Sequence, residues 1–325
     1  MCSVRPFNDA DIEACNNQHS EPMMSISISS NTFKTLSMPD IVQKFSLNTE
    51  QTRIFRTVRS HVEHTLEFQQ STDQNRKKPE QLLMYIGAYA LSFLHFSSSF
   101  PHTLGGAGGC GKSRVIEAIS DYMYLQGRLH TVRMLAPSSA AAVGINGLTI
   151  QSMLHERRNK SSNVSSQPTQ THMSLVENEW RHIDYCFIDE ISMVGCYMLA
   201  QFHKITTIAK HTLPTVPFGG INIIFLGDFV QYAPVLDRPL YSNLLLPTDT
   251  LSNTIADKPN GRRTVSERDI QCKVGRALWL QVNKVVFLTQ QMRNKDRNFM
   301  DMQTRLRMGE CNDVSSIFRS AFTPR

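Results

Sequence analysis

The sequence contains few cysteines, and none of them form a pattern that would hold a metal ion. Its seven cysteines are scattered over 325 residues, with no C-x-x-C pair and no cysteine and histidine spacing of the kind that structural zinc requires. Their odd number also gives no sign of a disulfide framework. We therefore expect a reducing compartment and a fold that needs no structural metal.

Charged residues are also sparse, at 19% of the chain, whereas 41% of the residues are hydrophobic. This balance is too apolar for disorder over most of the length. The net charge of +6 suits a polyanionic partner without requiring one. Acidic residues stand at positions 9, 11 and 13, where a signal or transit peptide would be basic or apolar. We expect a nuclear protein, with the mitochondrion as the alternative.

One long stretch, residues 82–100, has no Lys, Arg, Asp or Glu and approaches the length of a membrane helix. Four serines and His95 interrupt it, and it leads directly into a glycine-rich loop that would bind an aqueous ligand. We therefore expect no membrane span.

The pattern of apolar residues predicts an α/β fold. At roughly 150 residues per domain, the length allows about two domains. Residues 1–38 show no clear period and indicate a loose N-terminal arm, whereas residues 39–290 alternate buried strands with helices, which is typical of a parallel sheet flanked by helices. The predicted strands are 82–86, 131–135, 185–188, 221–226 and 285–288. Predicted helices begin at Thr49, as N-cap, and run over 112–126 and 296–308, and the polar stretches 156–171 and 247–266 are predicted loops.

Residues 106–113 match the phosphate-binding pattern G-x-x-x-x-G-K-[ST] at the start of a predicted helix. Glycines allow successive backbone N–H groups to converge on a phosphate, and the helix N-terminus adds its dipole. Lys112 would reach the β and γ phosphates, and Ser113 would ligate Mg²⁺. The candidate nucleotide-binding residues here are Gly106, Gly108, Gly109, Cys110, Gly111, Lys112 and Ser113. The alternative is a glycine-rich turn that happens to precede Lys-Ser.

Two further strand ends carry polar side chains. Asp189 and Glu190 follow the strand 185–188, where Asp189 could hold the metal and Glu190 could orient and deprotonate an attacking water. Gln231 lies shortly after the strand 221–226, in a segment that also carries Asp228. Because ligands of open α/β sheets bind beyond the carboxyl ends of the strands, we expect these side chains to share one site.

In order and spacing, these segments resemble the superfamily 1 DNA helicases of the petite-integration-frequency type, and among them the helicase domain of fungal Helitron transposons. The resemblance covers about residues 40–312. It extends to the segments 47–51, 135–141 with 149–152, 275–279 and 288–293.

The resemblance implies a RecA-like P-loop NTPase domain that uses ATP and Mg²⁺. It implies that Gln51 contacts adenine, that Gln231 senses the γ-phosphate and that Arg293 stabilises transition-state charge, which makes Lys112, Glu190, Gln231 and Arg293 the predicted catalytic residues. Predicted DNA contacts are Pro137, Ser138, Ser139, Thr149 and Gln151. The implied partners are single-stranded DNA or duplex junctions, together with a missing second motor domain or other transposon-encoded domains.

The sequence departs from the family at three places. Cys110 stands where the family usually has threonine, so it is either a tolerated small side chain or a thiol whose oxidation blocks ATP. Residues 88–105 separate the first strand from the phosphate loop, and we interpret them as an insertion. We expect residues 291–325 to be the start of a truncated second domain.

We therefore predict a 5′-to-3′ ATP-dependent DNA helicase of repair, recombination and telomere or transposon maintenance. One alternative is a truncated, catalytically impaired remnant that binds nucleotide or DNA without unwinding. Another is a P-loop ATPase that acts on something other than DNA.

Overall fold

The computed structural model describes residues 38–73, 75–88, 109–154, 170–242, 266–294 and 296–308. The predicted N-terminal arm, the main part of the predicted insertion, Gly106 and Gly108 lie outside these residues. So do most of the two predicted polar loops and the chain beyond residue 308.

Six strands form one sheet in the order β3-β2-β4-β5-β1-β6, and all five neighbouring pairs are parallel. The strands are β1 (Leu83–Ala88), β2 (Val132–Ala136), β3 (Leu148–Thr149), β4 (Tyr185–Ile188), β5 (Asn222–Gly227) and β6 (Lys284–Leu288). The five predicted strands are confirmed, each within a residue or two of its expected bounds, and the two-residue β3 is an addition.

Nine α-helices belong to the described residues. They are α1 (Met38–Lys44), α2 (Thr49–Gln70), α3 (Lys112–Leu125), α4 (Ser139–Gly144), α5 (Ile150–Met153), α6 (Gln170–Trp180), α7 (Cys196–Ala209), α8 (Glu267–Trp279) and α9 (Arg297–Met308). In the part of the chain that the structure describes, no helix is both long and apolar enough to cross a membrane.

Both faces of the sheet are buried, and alternate residues of each strand serve different faces. In β1, Met84 and Ile86 pack with helices α2 and α3, whereas Leu83 and Tyr85 pack with α6, α7 and α8. Because successive side chains of a strand point to opposite faces, two apolar layers require the continuous apolar runs that the sequence shows. The architecture is thus helix layer, parallel sheet, helix layer, as predicted.

The start of α2 differs from the prediction. Asn48, not Thr49, is the N-cap. Its side-chain oxygen accepts the backbone N–H of Gln51 at 2.8 Å, and Gln51 Oε1 accepts the backbone N–H of Asn48 at 3.0 Å. Thr49 is the first helical residue. An asparagine caps a helix better than a threonine, so the local chemistry explains the shift by one residue. The predicted end of α3 is confirmed, with Gly127 in the left-handed region at φ 66°.

Helices α7 and α8 cross with their backbones in contact at Gly275. A Cβ added at Gly275 would overlap the carbonyl oxygen of Cys196 at the start of α7. One residue further along α8, the Arg276 guanidinium donates to Leu240 O at 2.6 Å. The segment 275–279, singled out from the sequence, is therefore a packing element that holds α8 against α7.

We expect Gly275→Ala to destabilise the protein, because the clash with backbone outweighs the gain in helix propensity. Forcing a methyl group into a packed contact costs about 1 to 3 kcal/mol, whereas alanine gains about 1 kcal/mol over glycine within a helix. Urea unfolding measures the net loss. Gly144→Ala, at a helix position with open space around the added methyl, is the matched control and should not destabilise. Equal effects of the two substitutions would contradict the packing role.

His203 is a buried histidine whose two ring nitrogens have different roles. Its Nδ1 accepts the backbone N–H of Phe218 at 3.0 Å, so its Nε2 carries the hydrogen and donates to Pro214 O at 3.1 Å. Burial lowers the pKa of His203, and the carbonyl of Pro214 opposes this only in part. A proton on Nδ1 would face the Phe218 N–H, so the contact with Phe218 requires the neutral ring.

The protein should lose stability as the pH falls below about 6.5, the ordinary histidine value. Below that pH the unfolded chain takes up a proton at His203 that the folded chain resists, so unfolding is favoured; above it the full stability is present. We expect the melting temperature of His203→Gln to depend less steeply on pH between 7 and 5 than that of the wild type. His182→Gln, at an exposed position, should keep the wild-type slope. A His203→Gln slope equal to the wild-type slope would refute this role.

Candidate functional site

Side chains from five separate segments line one cavity of about 540 Å³ beyond the carboxyl ends of the strands. This volume lies within the usual range for small-molecule and cofactor sites. The lining includes the loop 109–113, the residues that follow β4, β5 and β6, and the start of α2 with the turn before it. Its predicted members are Gln51, Gly109, Cys110, Gly111, Lys112, Ser113, Asp189, Glu190, Gln231 and Arg293, and it also includes Phe45, Ser46, Arg114 and Met292.

The phosphate loop has the backbone that its glycines permit. Gly109 (φ 105°) and Gly111 (φ 80°) lie in the region that side chains disfavour, and α3 begins immediately afterwards at Lys112. At Gly109 a Cβ would come within 2.9 Å of the Arg293 Cβ and still closer to the Gln291 amide. Glycine at this position therefore lets the segment that carries Arg293 approach the loop. Lys112 and Ser113, the first two residues of α3, line the cavity, so the positive end of the helix dipole lies beside it.

Gln51 is only 1% exposed and binds the phosphate loop directly. Its Nε2 donates to the carbonyls of Cys110 at 3.2 Å and Gly111 at 3.3 Å, and its Oε1 accepts from Asn48 N at 3.0 Å. The structure thus places Gln51 in the predicted site, where it ties the start of α2 to the loop. Its contact with adenine stays a prediction.

Asp189 and Glu190 occupy the end of β4, and Glu190 has an unusual backbone. Its φ of 50° and ψ of 46° are left-handed, a conformation that costs free energy for a residue with a side chain. Opposite this turn, a Cβ at Gly227 would come within 2.8 Å of Ile191 N, so glycine at the end of β5 lets the turn pack there. Glu190, held in this strained turn, lines the cavity.

The two carboxyl groups share an electrostatic environment that disfavours their charged forms. Burial raises the pKa of Asp189, opposed by the Glu190 backbone N–H and by Lys112. Burial also raises the pKa of Glu190, and the negative charges of Asp189 and Asp228 raise it further, whereas Lys112 lowers it. The positive charge of Lys112 thus favours the charged form of both carboxyl groups.

Two oxygens in this pair suit a metal ion. Asp189 Oδ1 and Glu190 Oε2 are buried, and no hydrogen-bond donor among the described residues reaches them. Buried oxygens without a donor are costly unless water or a cation binds them, and Mg²⁺ prefers carboxylate, hydroxyl and water oxygens. The Ser113 hydroxyl lines the same cavity. The residues present therefore fit the predicted Mg²⁺ site.

Asp228 lies behind Gln231 and supports the site, although the sequence analysis gave it no role. It is fully buried after β5 and accepts from Val230 N at 3.1 Å and from Gln231 Nε2 at 3.4 Å. Through these contacts it fixes the turn that brings Gln231 to the cavity. In the sequence, its position directly after a predicted buried strand was the signal that could have indicated this role.

Arg293 is exposed and lies at the cavity wall, on a segment that is bonded to the phosphate loop. Met292 N donates to Gly109 O at 3.0 Å, and Arg293 N donates to Gln291 Oε1 at 3.1 Å. A direct backbone contact thus holds the segment of Arg293 against the phosphate loop, and the contact of Arg293 with phosphate stays a prediction.

The predicted DNA-contacting residues lie at or just after the ends of β2 and β3, and they do not line this cavity. Ser138 and Thr149 are N-caps: their hydroxyl oxygens accept from Ala141 N at 3.3 Å and Ser152 N at 3.2 Å. Ser139 is exposed, Pro137 is half-buried, and Gln151 Nε2 lies 4.0 Å from Met198 Sδ. Because parallel strands end at one edge, these residues belong to the same edge of the sheet as the cavity.

Cys110 is 1% exposed and packs in the core layer of α2 and α3. A buried apolar environment makes a thiol inert. Of the two interpretations of this residue, the structure favours the tolerated small side chain.

Residues 97–247 match the model of the PIF1-like helicase family. Among curated proteins, the chain is 26% identical over 217 residues to an ATP-dependent DNA helicase, PIF7, of Trypanosoma brucei brucei, and 25% identical over 222 residues to the ATP-dependent DNA helicase RRM3 of Saccharomyces cerevisiae. These alignments cover 63% and 66% of this chain but only 18% and 26% of the two relatives. The chain thus spans only 18% to 26% of the length of these relatives.

Solved structures show the same fold. The Pif1 helicase of Candida albicans superposes with a TM-score of 0.54 at 20% identity, covering 86% of this chain and 48% of that one. A Bacteroides Pif1 helicase in complex with ADP-AlF3 and single-stranded DNA superposes with a TM-score of 0.51 at 16% identity, covering 86% and 50%. The fold is therefore RecA-like, and residues 97–247 are similar to the PIF1-like helicase family.

Proposed function

We propose that this domain is the ATP-hydrolysing half of an ATP-dependent DNA helicase of 5′-to-3′ type, acting in DNA repair, recombination and telomere or transposon maintenance. One observation carries the proposal: Lys112, Glu190, Gln231 and Arg293, from four segments far apart in the sequence, line a single cavity beside a phosphate loop. A chance glycine-rich turn would not be accompanied by these groups.

The geometry supports a division of roles in phosphoryl transfer. The loop N–H groups and Lys112 would hold the β and γ phosphates of ATP, and Ser113 and Asp189 would hold Mg²⁺, which would neutralise phosphate charge. Glu190, which lines the cavity, would take a proton from the attacking water. Arg293 would stabilise the charge that develops on the transferred phosphoryl group. Gln231, held by Asp228, would contact the γ-phosphate and couple its presence or absence to the DNA-contacting residues.

The same edge of the sheet offers contacts for single-stranded DNA or a duplex junction. A hydroxyl that accepts a helix N–H still has a hydrogen to donate, so Ser138 and Thr149 can cap their helices and bind phosphate oxygens at once. Ser139, Pro137 and Gln151 complete the proposed contact set. The bound strand would require a second motor domain or another transposon-encoded domain for translocation, because motors of this kind change the separation of two gripping domains. Such a role places the protein in the nucleus, with the mitochondrion as the alternative.

Substitution of Lys112 or Glu190 should abolish ATP turnover while the fold is kept. In Lys112→Ala the phosphates lose their cation, so nucleotide affinity should fall as well; in Glu190→Gln the base is lost, so turnover should fall by about 10² to 10⁴-fold with nucleotide affinity nearly unchanged. Phosphate release, measured with and without single-stranded DNA, and binding of a fluorescent ATP analogue separate the two effects.

Lys204→Ala, on the exposed side of α7, is the control and should leave turnover and binding unchanged. Nucleotide binding without turnover in the wild type would favour the impaired remnant. Turnover that single-stranded DNA does not stimulate would favour an ATPase with another partner.

In the pH profile of ATP turnover, the fall in rate on the acid side (the acid limb) should occur at a pH above about 4.3, the ordinary pKa of glutamate. Burial and the neighbouring carboxylates raise the pKa of Glu190, and a base acts only when deprotonated, so turnover should fall as the pH drops through this raised value. Asp228→Asn removes one of the charges that raise it, so the limb should move to lower pH. A pH profile of kcat measures both effects, with the exposed Glu267→Gln as control. An unchanged limb in Asp228→Asn would contradict the assignment of the limb to Glu190.

A further inference from the structure

A carboxylate at the start of α2 holds the segment that carries Arg293. Glu50 Oε2 accepts the backbone N–H of Thr289 at 2.7 Å and that of Gln290 at 3.4 Å, and its Oε1 accepts the Thr289 hydroxyl. These residues lie 239 positions or more apart in the sequence. Three donors on one carboxylate, from a segment directly after β6, form a specific clamp.

The same helical turn also holds the phosphate loop. Gln51, next to Glu50, donates to two carbonyls of the loop, and the Asn48 side chain lies 3.8 Å from Met292 Sδ. The loop and the segment are joined in turn by the bond from Met292 N to Gly109 O. Residues 48–51, the clamp turn, therefore contact both walls of the cavity, and Glu50 supplies the contact to the wall that bears Arg293.

We propose that Glu50 is a positioning residue for Arg293. It fixes the residues 289–290 so that the arginine four positions after Thr289 reaches the transferred phosphoryl group. The proposal rests on the proposed function, since it assigns Glu50 to the hydrolysis step at that site.

The physical reason lies in the backbone of residues 289–294, which form neither helix nor strand. The backbone N–H groups of Thr289 and Gln290 are therefore not ordered by a sheet, and the Glu50 carboxylate accepts them instead. Glu50 is well suited: charge-assisted hydrogen bonds are about twice as strong as neutral ones, and its negative charge in the first turn of α2 is stabilised by the helix dipole. Without this anchor, a long arginine on an irregular segment would sample many positions, and catalysis is sensitive to displacements of about 1 Å.

Glu50→Ala should lower kcat for ATP by about 10 to 100-fold, the loss expected from misplacing a catalytic group, with KM and nucleotide affinity within about threefold. Glu50→Gln keeps an oxygen for the backbone N–H groups and an amide that can donate to the Thr289 hydroxyl, so it should restore part of kcat. Glu67→Ala, an exposed glutamate in the last turn of the same helix and roughly 25 Å away, is the matched control and should equal the wild type. A loss in Glu50→Ala that appears equally in Glu67→Ala would overturn the proposal.

The double substitution tests whether Glu50 acts through Arg293. If it does, Glu50→Ala should cause no further loss of kcat once Arg293→Ala is present, because residues that act as a unit are not additive. Equal fold losses in the wild-type and Arg293→Ala backgrounds would overturn the proposal.

A third measurement does not depend on turnover. Amide hydrogen exchange of residues 289–294, followed by mass spectrometry in the full chain, should be faster by about tenfold or more in Glu50→Ala, whereas residues of β4 should be unaffected. Unchanged exchange would overturn the proposal even if kcat falls. If the wild type hydrolyses no ATP, the proposed function fails, and the exchange result still decides whether Glu50 orders this segment.

Discussion

The parallel direction of all six strands is the constraint on which the site depends. Since every strand ends at the same edge, the residues that follow β4, β5 and β6 arrive beside the phosphate loop from distant parts of the sequence. The parallel arrangement requires a crossover after each strand, and the crossover helices cover both faces. The two core layers that bury the strands thus also deliver the polar residues to one place.

At that edge, the site combines several features that each cost free energy of folding. Glu190 has a left-handed backbone, Asp189 and Glu190 contain buried oxygens without donors among the described residues, and both carboxyl groups have raised pKa values. Such features persist only where rigid surroundings enforce them, here the buried strands β4 and β5 and the glycine at position 227. The combination of strain and unpaired oxygens marks a place built for a ligand.

The clamp turn gives the site its second support. Helix α2 lies outside the sheet, yet Asn48, Glu50 and Gln51 at its start contact the phosphate loop and the segment after β6. Neither of these segments is a regular element at the point of contact, so each needs partners for its backbone groups. The capped start of α2 supplies hydrogen-bond partners to both segments. The geometry of the cavity therefore depends on the capping of α2.

The sequence by itself determined the sheet, the phosphate loop and the acidic pair, because apolar runs and the G-x-x-x-x-G-K-[ST] spacing are local signals that survive without knowledge of the fold. Local signals failed to predict the helix start where two cap residues compete, as at Asn48 and Thr49. They also failed to predict β3 and α5, which are too short to show a recognisable pattern. Only the tertiary structure decided that Gln51 binds the loop carbonyls, that Asp228 holds Gln231 and that Glu50 clamps Thr289. The last contact joins residues 239 positions apart, and no pattern along a chain records which backbone N–H a distant carboxylate will meet once the strands align.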